Sequence, residues 1–122
     1  MTDFSDVHAE EAVLSHMLFH NRQSKRLTAE HFTGADRRAI FTALQEGAPF
    51  ETIERLDFEL PGYASDLFFA PYTAPHYLRE AVEELIRLEE LRRLERRVLD
   101  WQRRARTMTV FRARSELAQC LR

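Results

Sequence analysis

His16 and His20 stand four residues apart, one helical turn, a spacing at which two imidazoles can grip one metal ion. The glutamate that would make this a zinc-protease helix is missing, because position 17 is Met where H-E-x-x-H requires Glu. His8, His31 and His76 are scattered, and Cys120 is the only cysteine, so no Cys-x-x-Cys ligand pair and no internal disulfide can form. A lone thiol also suits a reducing compartment. No phosphate-loop pattern and no glycine fingerprint occurs, which removes the usual backbone cradle for a nucleotide. Carboxylates are plentiful, but none is set apart as an acid/base pair. Cys120, near the end of an amphipathic helix, reads as a small packing residue and not as a nucleophile. The expectation is a chain with no catalytic residue, no metal and no cofactor, and therefore not an enzyme.

Charge is the stronger signal. Residues 1–86 hold 7 Lys or Arg against 15 Asp or Glu, a net of −8, whereas residues 87–122 hold 11 against 5, a net of +6. The overall −2 hides an acidic globule followed by a basic arm. Arg92, Arg93, Arg96, Arg97, Arg103, Arg104 and Arg106 crowd that arm. They read as a solvated helix face with intrahelical pairs, as a surface for an acidic protein, or as a nucleic-acid contact. The net negative charge of the whole chain weakens the nucleic-acid reading. Trp101 beside them is more often a packing anchor than a base-stacking platform.

The elements that must carry these residues are all helical. Only three Gly and four Pro among 122 residues argue against a loop-rich β fold. No apolar run approaches the ~20 residues that span a membrane, and no secretory leader is legible. A cytoplasmic location is expected. A first helix is predicted over 6–20, capped by Ser5 or Asp6, with Glu10 and Glu11 near its positive end and Asn21 at its close. A turn over 28–32 follows. Thr33 and Asp36 have capping-box spacing for a helix over about 34–46, and Gly47 stands where a C-terminal glycine belongs. Pro49 opens a short helix to about Leu56. Another is predicted from Leu60 to Ala70, closed by Pro71. The bundle core is predicted to contain Val13, Leu14, Met17, Leu18, Phe32, Ile40, Phe41 and Leu44, with Phe68, Phe69 and Tyr72 also inside.

From Thr73 or Ala74, with Pro75 in the first turn, a Gly-free run predicts one helix continuous over 75–104, on the order of 50 Å long. Its apolar positions, Leu78, Ala81, Leu85, Leu88, Leu91, Leu94, Val98, Trp101, Ala105 and Met108, recur every three or four residues. Glu83–Arg87, Glu89–Arg93 and Asp100–Arg104 have the spacing of acid-before-base helix pairs. Thr107-Met108-Thr109 breaks the helix, and a last amphipathic helix over 110–121 folds back as a hairpin. The expected division is a bundle over 1–72 and a long helix with its hairpin over 73–122.

The order of these local patterns carries a resemblance. AEEAVLSHML at 9–18 and LTAEHFTGADRRAIFTAL at 27–44, followed by Gly47, resemble the opening helices shared by two bacterial replication domains. One is the C-terminal helicase-binding domain of DnaG-type primase, and the other is the N-terminal domain of DnaB-type replicative helicase. The matching positions are Ala9, Glu10, Val13, Leu14, Leu18, Glu30, Phe32, Arg38, Ile40, Phe41 and Leu44. LIRLEELRRLERR at 85–97 is similar to the long charged helix of the primase branch. The middle segment 48–72 lacks the glycine pair of the helicase branch, although TAPHYLREAV at 73–82 is tolerably helicase-like.

The primase resemblance implies a non-catalytic interaction domain that docks on the N-terminal collar of the hexameric helicase and couples priming to unwinding in DNA replication. The zinc-binding and catalytic regions of a primase are not in this sequence, so the expectation is an excised domain or a free-standing relative. Apolar anchors are expected at Trp101, Met108, Phe111, Leu117 and Leu121, with Arg104, Arg112 and Arg114 as a charged rim, because a terminal hairpin has the least core to fill. The alternatives are the helicase's own N-terminal domain, self-associating through the hairpin, and a helical module that contacts nucleic acid weakly through its arginines.

Overall fold

The computed structural model describes residues 4–70 and 75–122, with the side chains of residues 75–77 left aside. Pro71, Tyr72, Thr73 and Ala74, expected to close one helix, fill the core and open the next, lie outside the described residues, as does the side chain of His76. The chain is all-α: α1 Val7–His20, a single 3-10 turn Ala29–His31, α2 Ala35–Gln45, α3 Phe50–Ile53, α4 Tyr63–Phe68, α5 Pro75–Ala105 and α6 Val110–Cys120. No strand occurs among the described residues. Helix α5 is unbroken from Pro75 to Ala105, as the Gly-free run requires. The chain forms two compact units, residues 1–88 and 89–122.

In the first unit, helix ends follow local chemistry. The Asp6 carboxylate accepts from the Ala9 N–H at 3.0 Å and caps α1. Asn21 takes the left-handed conformation after it (φ 48°), with Arg22 N–H bonded to Met17 C=O at 3.0 Å. Gly47 does the same for α2 (φ 81°), and Ala48 N–H reaches Ala43 C=O at 3.0 Å, so orphan carbonyls are satisfied at both ends. The start of α2 departs from expectation. Gly34 stands at its N-cap without a side-chain cap, and the Thr33–Asp36 box does not form. Thr33 is drawn to Glu10, and Asp36 accepts from the N–H groups of Glu59 and Leu60 at 2.8 and 3.1 Å. Tertiary partners outcompete the local cap because they satisfy buried groups. The short helices also shrink: α3 ends at Ile53, short of Leu56, and α4 begins at Tyr63, because Gly62 is left-handed (φ 78°).

All eight expected core residues are buried. The rings of Phe32 and Phe41 lie 4.7 Å apart between centroids, an offset aromatic pair at the centre. Ala81 and Leu85 of α5 enter the same core, with Leu78, Val82 and Ile86 packed against it, so the first unit runs past residue 72 into the long helix. Phe68 is half-buried between Phe50 and Phe19, whereas Phe69 is 79% exposed and is not core.

The second unit is built differently. Ala113, Glu116, Leu117 and Cys120, spaced three, four and seven apart, are the half-buried side of α6, and none of its residues is fully buried. The hairpin turn is closed by Met108 N–H on Ala105 C=O at 3.1 Å, and Thr109 caps α6 by accepting from the Arg112 N–H at 3.2 Å.

Candidate partner-binding surface

The residues expected to bind a partner divide into those that hold the hairpin and those that the hairpin displays. Trp101 holds it. Its indole N–H donates to the Ala113 carbonyl at 2.7 Å, and the ring is half-buried. A buried indole N–H needs such an acceptor, and here a helical carbonyl of α6 provides it. Arg104 also holds it, pairing with Asp100 on its own helix at 3.2 Å and with Glu116 across the turn at 2.7 Å. Arg112 joins the same carboxylate at 3.2 Å, so Glu116 binds two guanidinium groups. Met108 and Leu117 are half-buried within the hairpin.

Phe111, Arg114 and Leu121 belong to the display side. Phe111 is 85% exposed and Leu121 59% exposed, and Val110, not among the expected anchors, is 69% exposed. Phe111, Arg114, Ala118 and Leu121 recur at helical spacing on the face away from the half-buried side, and all four are exposed. The result is an apolar row beside arginines on an 11-residue helix.

The arginine-rich stretch before the hairpin is partly self-neutralised. Glu89 is buried and accepts from Arg92 and Arg93 at 3.0 Å, with Arg96 at 3.4 Å. The expected Glu89–Arg93 and Asp100–Arg104 pairs form. The Glu83–Arg87 pair does not. Glu83 pairs with Arg26 at 2.8 Å, which holds its carboxyl below the usual range, and Arg87 turns back to Glu84. Cys120 is half-buried, its sulfur 3.9 Å from the Arg97 carbonyl oxygen.

The resemblance-bearing stretches of the first unit meet at a polar tie that sequence reasoning missed. Glu10 was expected near the helix dipole, yet it is fully buried. One carboxylate oxygen accepts from the Thr33 N–H at 2.6 Å and Arg37 Nε at 3.0 Å, and the other accepts from the Thr33 hydroxyl at 2.7 Å. A signal was present: Glu10 lies on the stripe of Leu14 and Met17, a carboxylate on an apolar face. Next to it Tyr63 donates to Glu11 at 2.7 Å, and burial together with that carboxylate pushes the phenol up to about 12.

His16 and His20 do come together, with ring centroids 4.4 Å apart. Burial, then the neighbouring His20 and Arg22, lower the pKa of His16. Among the described residues no group of three or more His, Cys, Asp or Glu converges as a metal site requires, and no helix is long and apolar enough to cross a membrane.

No protein-family model, no curated protein and no solved structure matches this chain.

Proposed function

We propose that this chain is a protein-interaction domain of the primase type, one that binds the N-terminal collar of a DnaB-type replicative helicase in the cytoplasm and couples priming to unwinding. The observation that carries the reading is the displayed face of α6, with Phe111 85% exposed and Val110 and Leu121 beside it on a helix that buries none of its own residues. Such a helix offers apolar anchors to a groove on a partner, with Arg114 at the rim. The Glu10–Thr33–Arg37 tie adds support, since it joins the two stretches on which the resemblance rests. Tethering a primase to the helicase raises its effective concentration at the unwound strand.

The test is titration of a DnaB-type helicase N-terminal domain with the full chain and with Phe111→Ala/Leu121→Ala. The double variant is expected to bind at least tenfold more weakly, as hot-spot truncations do. Equal affinity would move the partner surface to residues 1–88 and end this reading of α6. A second reading, the helicase's own N-terminal domain, is favoured by the same face, which fits a second copy of the chain. It predicts a dimer in sedimentation that Phe111→Arg dissociates. Nucleic-acid binding gains less support, because Arg92, Arg93, Arg96, Arg104 and Arg112 are engaged in ion pairs.

A further inference from the structure

Residues 1–88 hold 8 Lys or Arg against 15 Asp or Glu, so cations are scarce there. Four of the eight line one pocket. Arg22, Lys25, Arg26 and Arg79 surround a cavity of about 550 Å³ whose apolar walls are Val13, Met17, Leu78 and Val82. The other four lie elsewhere: Arg37 on Glu10, Arg38 on the Phe32 carbonyl, Arg87 on Glu84, and Arg55 outside the lining. Among the described residues Arg22, Lys25 and Arg79 form no ion pair, and Glu83, bonded to Arg26 and close to Arg79, is the carboxylate set against them. Four cations less one carboxylate leave about three positive charges around an aliphatic floor.

The basic loop is held in place. Gln45 accepts from the Ser24 N–H at 2.7 Å and donates to the Ser24 carbonyl at 2.8 Å, and Gln23 donates to the Gln45 carbonyl at 2.8 Å. His16 also lines the cavity, and its Nδ1 is buried without a hydrogen-bond partner among the described residues. The pocket therefore combines apolar walls, unpaired cations and one unused polar atom.

We infer that this pocket, where α1, the 22–26 loop and α5 meet, binds an acidic peptide segment through an aliphatic side chain flanked by carboxylates. The aliphatic side chain would rest on Val13, Met17, Leu78 and Val82, and the carboxylates would meet Arg22, Lys25 and Arg79. His16 Nδ1 would take up a polar group of the same segment. A nucleic acid is a poorer fit, because the floor offers aliphatic side chains where bases need aromatic platforms. The site is built entirely from residues of the first unit, α6 belongs to the second, and the inference does not rest on the helicase reading.

The test is fluorescence anisotropy of a fluorescein-labelled Glu-Glu-Leu-Glu-Glu peptide with the full chain at physiological salt. Saturable binding is expected. It should weaken at least tenfold with Arg22→Glu/Lys25→Glu, and likewise when Ser replaces Leu in the peptide. Arg55→Glu, reversing an exposed charge of the same unit outside the lining, should leave it unchanged. Arg22 and Lys25 are exposed, and an unchanged circular dichroism melt would show that their reversal spares the fold; Arg79→Gln is the second variant should it not. Absence of binding at millimolar peptide, indifference to the Arg22/Lys25 reversal, or equal binding of the Ser peptide would each overturn the proposal. Binding to phosphatidylglycerol vesicles without binding to the peptide would overturn it in favour of a lipid surface.

Discussion

The two units of this chain place equivalent residues in opposite circumstances. Phe41 is 2% exposed and packs against Phe32, whereas Phe111, on a helix of the same length, is 85% exposed. Carboxylates differ as well. Glu10 is sealed in the first unit by Thr33 and Arg37, while Glu116 in the second, with 21% of its side chain exposed, holds two arginines at a wet surface. The first unit coheres by apolar burial, at roughly 25 cal/mol per Å². The second coheres by a few directed bonds around a thin apolar seam. Directed bonds of that kind contribute about 1 kcal/mol each and are weakened by salt when exposed. A region so held opens easily and keeps apolar side chains available to a partner.

The sharpest way to break this contrast is the matched pair Phe41→Ala and Phe111→Ala. The first should cost about 3–5 kcal/mol, and the second should stay within about 0.5 kcal/mol. Chemical denaturation followed by far-ultraviolet circular dichroism measures both, and similar costs would refute the contrast. Next in size is Glu10→Gln, which keeps the shape but removes the charge facing Arg37 and one acceptor for Thr33. A loss of about 1–3 kcal/mol is expected, because buried donors are left short of partners. A neutral result would mean that water serves the site equally well.

Within the second unit, Trp101→Phe keeps an aromatic ring and deletes the bond to the Ala113 carbonyl. About 1 kcal/mol of hairpin stability should go, read as faster amide hydrogen exchange in α6 with α1 and α2 unchanged. Faster exchange throughout the chain would show instead that the units unfold together. The smallest effect concerns pH. The pKa of His16 is lowered in the folded state, so the unfolded chain binds more protons near pH 6. Stability should therefore be fully present above the ordinary histidine pKa of about 6.5 and fall as pH drops through it, flattening below the folded pKa. His16→Gln should flatten that part of the melting-temperature profile, and an identical slope in the variant would assign the effect to other groups.

Helix content, both ends of α1, the C-terminal end of α2 and the first unit's central core were legible because they depend on nearest neighbours along the chain. Asp6, Asn21 and Gly47 act within one turn of their helices, and the stripe through Val13, Leu14, Met17 and Leu18 needs only the helical period to be read. The unbroken α5 and the stop at Thr107–Thr109 are of the same kind. What tertiary structure alone decided is which of several competent partners each polar group takes. Thr33 and Asp36 have the spacing of a cap, but Thr33 bonds to Glu10 and Asp36 to the backbone at 59–60, which leaves buried groups satisfied. Glu83 has Arg87 one turn away and pairs with Arg26, 57 positions distant in sequence. Trp101 and Arg104 have the character of exposed anchors, yet a carbonyl and a carboxylate on α6 engage them. Side chains with more than one possible partner are settled by distance and desolvation in three dimensions, and neither quantity is a function of spacing along the chain.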